Sequence, residues 1–219
     1  TPVKIAEAKR NLIADMDTGY GSPLNVIRTV QECVNVGVAG IILEDQSWPK
    51  KCGHMEGKSV ISNEEHVEKI KAAVHARGDS ELVIIARTDS RATHNLEEAI
   101  RRGKNLEESG ADVIFIEAPQ TEEEIRTIGK EIKLPMLINL IEGGKTPNLP
   151  ISDLEELGFR LILYPLTSIF ATAYSMQKLA SHVRSEKTTR GYDEILTFSE
   201  FENVVDLQKY KDLDSKFLS

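Results

Sequence analysis

Residues 40–45 read GIILED, a continuous apolar run that ends in two acidic residues. Continuous rather than alternating apolar residues are typical of a parallel strand that is buried on both faces. The same pattern occurs six times along the chain. We therefore predict strands at Leu12–Met16, Gly40–Glu44, Leu82–Ala86, Val113–Ile116, Met136–Leu140 and Arg160–Tyr164.

Amphipathic stretches follow these runs, as expected of helices that cover a sheet. They lie near residues 22–36, 62–76, 95–109, 121–132, 152–157 and 168–186. Two of them begin with a capping pattern, Ser62 with Glu65 and Thr121 with Glu124. A strand followed by a helix, six times over, predicts a βα series and hence a parallel sheet or a barrel.

Polar residues at the strand ends favour the barrel. They are Asp15 and Asp17, Glu44 and Asp45, Arg87 and Asp89, Glu117, Asn139 and Glu142, and Tyr164. A doubly wound sheet uses one switch point, whereas a barrel brings every strand end to one mouth. Strand ends that simply turn polar at the solvent are the alternative, and repetition at all six strands argues against it. We predict an α/β protein with a (β/α)8 TIM-type barrel.

A closed barrel of this type has eight strands and about 250 residues, whereas six strands are visible in the pattern. The part after Thr188 reads as polar turn and helix, over Leu196–Leu207 and Leu213–Leu218. We therefore expect the two missing strands to belong at the N-terminal end. Either two βα units are absent there, or a stretch of sequence is closed up near Arg10. The expected organisation is one barrel domain over residues 1–187, incomplete at its N-terminus, and a helical tail over 188–219.

Composition excludes several classes of protein. The 219 residues include 27 basic and 35 acidic ones, so the net charge is −8 and generic nucleic-acid binding is not expected. No apolar run approaches the roughly 20 residues of a membrane helix, and Thr1–Arg10 lacks a signal-peptide core. Two cysteines in unrelated contexts suggest no disulfide framework. We expect a cytoplasmic protein with a small-molecule partner and no membrane or nucleic-acid partner.

The strand end Asp15-Met16-Asp17 suggests a metal site. Period-two alternation would point both carboxylates to the same side, where they repel each other unless a cation lies between them. Mg²⁺ prefers such oxygen ligands, and Glu44 at the next strand end is a natural further ligand. A solvated strand end remains the alternative for this short motif.

The segment Gln46–Lys58 reads QSWPKKCGHMEGK and carries an unusual group of cations. These are Lys50, Lys51, His54 and Lys58. Their position beside the carboxylates suits an anionic substrate. A thiol among such cations, Cys52, is a candidate proton donor or nucleophile. Zinc is disfavoured because Cys52-Gly53-His54 lacks further ligands. A basic surface loop with an incidental thiol stays open.

Three further strand ends carry polar groups suited to a carboxylate ligand. Arg87-Thr88-Asp89 offers a guanidinium for a bidentate clamp, Glu117 an acid, and Asn139 a neutral hydrogen-bonding group. Cys33 lies on an apolar helical stripe and is interpreted as a core residue.

The run Lys50-Lys51-Cys52-Gly53-His54 resembles the K-K/R-C-G-H signature of the isocitrate lyase family, within the isocitrate lyase/phosphoenolpyruvate mutase superfamily. The likeness continues through Asp15–Gly21, Glu44–Lys58, Arg87–Asp89, Phe115–Pro119, Asn139–Pro147 and Arg160–Thr167. It implies a (β/α)8 barrel that assembles as a homotetramer with exchanged terminal helices. It also implies that Mg²⁺ or Mn²⁺ assists cleavage of a carbon–carbon bond in a 2-hydroxy di- or tricarboxylate.

The resemblance also implies roles for individual residues. Asp15, Asp17 and Glu44 would hold the metal, and Cys52 would be the catalytic acid with Lys50 and His54 beside it. The residues implied to bind substrate are Gly53, Arg87, Phe115, Glu117, Asn139 and Leu163.

Within the family, the chain mixes features of two branches. Phe115 and Leu163 resemble methylisocitrate lyases, whereas Glu142-Gly143-Gly144 resembles enzymes that act on 2,3-dimethylmalate and other 2-alkylmalates, including the petal-death type. The family's Tyr-x-Ser-Gly and a nearby aspartate, on its first two strands, have no counterpart in this sequence.

The expected function is a Mg²⁺-dependent lyase that releases pyruvate from 2-methylisocitrate or a 2-alkylmalate. One alternative is a phosphonomutase-type enzyme similar to carboxyphosphonoenolpyruvate mutase. Another is a non-enzymatic metabolite-binding barrel, if the front strands are absent.

Overall fold

The computed structural model describes residues 12–52 and 57–217. Two residues with predicted site roles, Gly53 and His54, lie outside the described residues. So do residues 1–11, on which the question of the absent front units depends.

The described residues form one parallel sheet in the order β1-β2-β3-β4-β5-β6. Its strands are β1 Ile13–Asp15, β2 Gly40–Glu44, β3 Val83–Thr88, β4 Val113–Ile116, β5 Met136–Asn139 and β6 Phe159–Leu163. All six predicted strands are confirmed. The largest difference is in β3, which continues to Thr88 because Arg87 and Thr88 pair with Phe115 and Ile116 of β4.

Nine helices lie within the described residues. They are α1 Pro23–Val36, α2 Asn63–Arg77, α3 Ser90–Thr93, α4 Leu96–Glu108, α5 Glu122–Glu131, α6 Ile151–Glu156, α7 Thr167–Glu186, α8 Phe198–Val204 and α9 Leu207–Phe217. The one-turn α3 was not predicted, because four residues are too short to show a helical period. The break predicted between Leu207 and Leu213 is wrong, since α9 runs through it.

The predicted capping residues act as caps. The hydroxyl of Ser62 accepts a hydrogen bond from Glu65 N at 3.1 Å, and that of Thr121 accepts one from Glu124 N at 3.2 Å. These bonds satisfy amide groups that a helix N-terminus leaves without intrahelical partners. Both helices therefore begin where the sequence pattern places them.

The sheet is apolar on both faces, as a parallel sheet requires. One face packs with the helices and carries Ile41 and Ile84, while the next residues, Ile42 and Ile85, belong to a second cluster around Phe115 on the other face. The result is a curled half-barrel. The α/β class and the parallel sheet are thus confirmed, and the predicted core position of Cys33 is confirmed as well.

The chain divides into two compact units, of which the first ends at Leu166 and the second begins at Thr167. The unit boundary precedes α7, which the sequence pattern grouped with the barrel. The domain division predicted between residues 187 and 188 stays a prediction.

The second unit consists of α7, α8 and α9, and none of these helices has a buried residue. Large apolar side chains are exposed on them; Phe198, for example, is 85% exposed and Phe217 72%. No helix in the described part of the chain is both long and apolar enough to cross a membrane.

The carboxylate of Asp45, fully buried just beyond β2, connects three elements. It accepts hydrogen bonds from Thr88 Oγ1 at 2.6 Å, from Asp89 N at 2.8 Å and from Arg102 Nη1 of α4 at 2.9 Å. A buried carboxylate is tolerated because charged and polar donors satisfy it. These bonds join the carboxyl ends of β2 and β3 to the helix that covers them.

His66 of α2 lies beside this cluster, with Nδ1 at 3.9 Å from Asp45 Oδ2. The pKa of His66 is lowered from 6.5 to about 4, chiefly by burial. The charges of Arg102 and Lys69 act in the same direction, and Asp45 opposes them. The folded protein therefore holds a neutral imidazole at a pH where the unfolded chain binds a proton.

This difference in proton binding makes stability depend on pH. We predict that the free energy of unfolding falls as the pH drops from 6.5 to 4, with His66 contributing about 3 kcal/mol of the loss. His66→Gln should remove that contribution, so its profile from urea unfolding should be flatter than that of wild type across this window. Exposed His75 on the same helix provides the control, His75→Gln. Parallel wild-type and His66→Gln profiles would contradict the prediction.

Candidate active site

The register of the sheet brings the polar strand ends together. Glu44 of β2 pairs with Arg87 of β3, which pairs in turn with Phe115 of β4. Asn139 of β5 pairs with Leu163 of β6. Residues paired in register point to the same face of a sheet. Five side chains with predicted site roles therefore lie at one mouth of the half-barrel.

Three carboxylates with a predicted metal role surround one ammonium group. Lys50 Nζ lies 3.9 Å from Asp15 Oδ2 and 3.8 Å from Glu44 Oε1, and it contacts Asp17 directly. The explanation by strand alternation is wrong for Asp17, because β1 ends at Asp15 and Asp17 has a left-handed backbone with φ 51°. A turn, held by the hydrogen bond from Asp17 N to Asp15 Oδ1 at 2.9 Å, brings the two acids together.

Glu44 is the side chain whose surroundings fit a metal ion. It is 1% exposed, and among the described residues neither carboxylate oxygen has a hydrogen-bond partner. Burial raises its pKa to about 7, although Arg87 lowers it, and Asp89 adds a repulsive charge. In this geometry the described residues form no cluster of three or more His, Cys, Asp or Glu that could hold a metal. Oxygen donors around a cation position nevertheless match the chemistry that Mg²⁺ prefers.

Arg87 is placed differently from the expected clamp for a substrate carboxylate. Its Nε and Nη2 donate to Asp89 at 2.9 and 3.2 Å, so the bidentate partner is a residue of the protein. The guanidinium lies over the ring of Phe115 at 5.0 Å and within 3.4 Å of Glu44 and 3.7 Å of Glu117. These contacts fix its plane at the mouth of the half-barrel.

Glu117 and Asn139 form a second polar pair beside Arg87. Asn139 Nδ2 donates to Glu117 Oε2 at 3.0 Å, and burial raises the pKa of Glu117 although Arg87 opposes that change. Asn139 Oδ1 is buried without a hydrogen-bond partner among the described residues. Such a group gains a partner when a polar ligand binds next to it.

The loop between β2 and α2 does not gather all its cations around Cys52. Lys50 points to the three carboxylates with a predicted metal role. Lys58, with a side chain 2% exposed, donates to Asp89 Oδ1 at 2.9 Å. Lys51 and Cys52 are exposed. The sequence missed these pairings because they join residues that lie far apart in the chain.

The sequence interpretation also missed the roles of two supporting residues. Asp45 bonds to three groups at the end of β3 and on α4, and Gln46 bonds to the loop. Strand alternation supplies a signal for Asp45, because Glu44 faces the mouth and the following residue must point to the other face. No comparable signal identifies Gln46, whose side chain bonds to the backbone of Lys51.

A family model described as phosphoenolpyruvate phosphomutase matches residues 3–184. The chain is 43% identical to the petal death protein of Dianthus caryophyllus, over 99% of this chain and 71% of that protein. It is 45% identical to the 2,3-dimethylmalate lyase of Eubacterium barkeri, over 94% and 72%. It is 44% identical to a chloroplastic carboxyvinyl-carboxyphosphonate phosphorylmutase of Arabidopsis thaliana, over 94% and 62%.

Solved structures show the same relationship. The crystal structure of a 2,3-dimethylmalate lyase has a TM-score of 0.83 and 32% identity, over 99% of this chain and 75% of that one. Oxaloacetate acetylhydrolase in complex with 3,3-difluorooxalacetate has the same TM-score and identity, over 96% and 76%. A phosphonopyruvate hydrolase complex with oxalate and Mg²⁺ has a TM-score of 0.80 and 27% identity, over 100% and 80%.

Proposed function

This chain belongs to the phosphoenolpyruvate phosphomutase family, within the PEP mutase/isocitrate lyase superfamily, and from that premise we propose that it is a Mg²⁺-dependent carbon–carbon lyase. Its substrate would be 2-methylisocitrate or a related 2-alkylmalate, cleaved to pyruvate and a second carboxylate. Relatives named 2,3-dimethylmalate lyase and 2-methylisocitrate lyase support this substrate class.

The observation that carries the proposal is the buried Glu44 at the mouth, without a hydrogen-bond partner among the described residues and next to Arg87. Asp15, Asp17 and Glu44 would hold Mg²⁺. When bound, the ion would supply positive charge to oxygen atoms of the substrate. Mn²⁺ prefers similar oxygen ligands and is the alternative ion.

The protein's own residues would bind the substrate and move a proton. Arg87, oriented by Asp89, would bind one substrate carboxylate. Asn139 would bind another through its Nδ2 amide group, which carries two hydrogens and also donates to Glu117. Phe115 and Leu163 would form the apolar wall, since Phe115 is 1% exposed and Leu163 half-buried at the same mouth. Gly53 and His54, which lie outside the described residues, keep their proposed roles in the loop.

The reaction is a retro-aldol type of cleavage. The substrate hydroxyl loses its proton to solvent, and its carbon–oxygen bond becomes a carbonyl. The electrons of the broken carbon–carbon bond pass to the leaving carbon. The thiol of Cys52 would then donate a proton to that carbon. The exposed position of Cys52 suits a group that meets the substrate from the solvent side of the mouth.

A second candidate is a mutase that acts on a carboxyphosphonate. The 44% identity to the carboxyvinyl-carboxyphosphonate phosphorylmutase favours it. A third candidate, a barrel that binds metabolites without catalysis, rests on the six strands seen among the described residues. Release of pyruvate from 2-methylisocitrate and from a panel of 2-methyl-substituted malates, measured with coupled lactate dehydrogenase, separates the lyase from both.

We also propose that the protein is a cytoplasmic homo-oligomer, a tetramer in which the terminal helices are exchanged between subunits. Support comes from the exposed apolar side chains of the second unit, including Phe198 and Phe201. Exposed apolar surface of this extent is typical of an interface.

Assembly through these helices is open to a direct test. We predict that sedimentation at micromolar concentration shows an oligomer, and that the double variant Phe198→Glu, Phe201→Glu shifts it toward the monomer because two apolar contacts are replaced by charges. Ser199→Glu adds a charge to the same helix without removing an apolar side chain and is the control. A wild-type monomer would contradict the proposal.

Metal dependence is the next prediction. EDTA should abolish activity, and Mg²⁺ or Mn²⁺ should restore it. Asp17→Ala should weaken Mg²⁺ binding at least about 10-fold in calorimetry without substrate, because one oxygen ligand is lost. Asp79→Ala, at an exposed turn after α2, is the control. Full activity of the metal-free protein would exclude the assignment of Asp15 and Asp17.

The role of Cys52 gives a further prediction. Cys52→Ser should lower kcat by about 10²–10⁴-fold, because a hydroxyl is a much weaker acid than a thiol, while Mg²⁺ affinity stays at the wild-type value. Substrate with Mg²⁺ should slow alkylation of Cys52 by iodoacetamide. Cys33→Ala, at the buried cysteine, should keep its turnover. Near-normal turnover of Cys52→Ser, or loss of metal binding, would refute the proton-donor role.

A further inference from the structure

The loop that carries Cys52 is closed at its base by backbone pairing. Ile61 N donates to Asp45 O at 2.8 Å, and Ser47 N donates to Ser59 O at 2.9 Å. Between these bonds Gln46 forms an antiparallel bridge with Val60. The two ends of the loop are therefore held together, and Lys50, Lys51 and Cys52 follow the first of these ends.

The side chain of Gln46, at the first end of the loop, forms hydrogen bonds with both backbone groups of Lys51. Its Nε2 donates to Lys51 O at 2.9 Å, and its Oε1 accepts from Lys51 N at 2.9 Å. A primary amide offers a donor and an acceptor side by side, so it can pair with the C=O and the N–H of the same residue. Gln46 is 2% exposed, so water competes little with these two bonds.

Lys51 lies between two residues with proposed roles at the site. The peptide units on its two sides belong also to Lys50, whose ammonium lies among the three carboxylates, and to Cys52. Bonds to Lys51 N and Lys51 O therefore fix the backbone from which both of these side chains extend. The side chain of Lys51 is exposed, and Gln46 bonds only to its backbone. These bonds therefore affect the positions of Lys50 and Cys52, and they do not involve the ammonium group of Lys51.

We propose that Gln46 is the positioning residue for Cys52, holding the thiol at the distance from the mouth at which it delivers its proton. The inference rests on the proposed function and deepens it by naming what orients the acid. Gln46 touches neither the carboxylates of the mouth nor Arg87 through any hydrogen bond described for it, and its influence passes through the Lys51 backbone.

Two substitutions and one control test the inference. Gln46→Ala removes both bonds to Lys51, and Gln46→Glu keeps the acceptor but places an oxygen opposite Lys51 O. Ser47→Ala removes the adjacent hydroxyl contact with Ser59 at 2.7 Å and leaves Lys51 untouched. Hydrogen–deuterium exchange at the Lys51 amide reports whether the pair is broken, independently of activity.

We expect faster exchange of the Lys51 amide in Gln46→Ala than in wild type or Ser47→Ala. Both Gln46 variants should lower kcat about 100-fold, as a misplaced reacting group does. KM should match that of Ser47→Ala, because the substrate carboxylates are bound from other strands. A kcat equal to that of Ser47→Ala would overturn the inference. So would a loss of kcat that disappears when the assay is run well below the melting temperature of every variant.

Failure of the proposed function gives a different result. If wild-type protein releases no pyruvate and Cys52→Ser matches it, the lyase proposal fails. The position of the thiol is then measured by the alkylation rate of Cys52 with iodoacetamide in Mg²⁺-loaded protein, with Cys33 counted separately by peptide mass. An unchanged rate in Gln46→Ala overturns the inference, and an altered rate supports it.

Discussion

The buried carboxylate of Asp45 is the constraint on which the mouth of the half-barrel depends. The carboxylate accepts hydrogen bonds from Thr88 Oγ1 and Asp89 N at the end of β3 and from Arg102 Nη1 of α4. The backbone oxygen of Asp45 accepts another from Ile61 N, where the loop returns. Asp89, fixed in this way, holds Arg87 and Lys58. One residue thus determines both the plane of the guanidinium and the end of the loop that carries Cys52.

The mouth of the half-barrel places several carboxylates together, and burial makes their ionised forms unfavourable. Burial raises the pKa of Glu44 and that of Glu117, so both carboxylates are costly to ionise without a cation. Burial would also raise the pKa of Asp89, but Arg87 and Lys58 lower it on balance. Asp89 accepts hydrogen bonds from both Arg87 and Lys58. Glu44 lies near Arg87 and Lys50 but accepts no hydrogen bond from either, which leaves a place for an added positive charge beside it.

The sequence predicts the parts of this structure that depend on local pattern. Continuous apolar runs indicate all six strands, Ser62 and Thr121 indicate helix starts, and polar strand ends indicate that Glu44 and Arg87 converge. It does not predict the turn that aims Asp17, or the ion pairs of Lys50 and Lys58. Those depend on side chains that meet only after the sheet has formed, and local periodicity carries no information about them.

The most direct test of the central claim is the fate of a solvent proton during turnover. Wild-type protein with Mg²⁺ and 2-methylisocitrate or a 2-alkylmalate in D₂O, followed by NMR and mass spectrometry, reports which bond breaks and which carbon is protonated. If the protein is a carbon–carbon lyase with a thiol as acid, substrates with a 2-methyl group should give pyruvate. The carbon of the other product that was formerly bonded to the pyruvate fragment should then carry one solvent deuterium. Unchanged substrates across the whole panel would contradict the account.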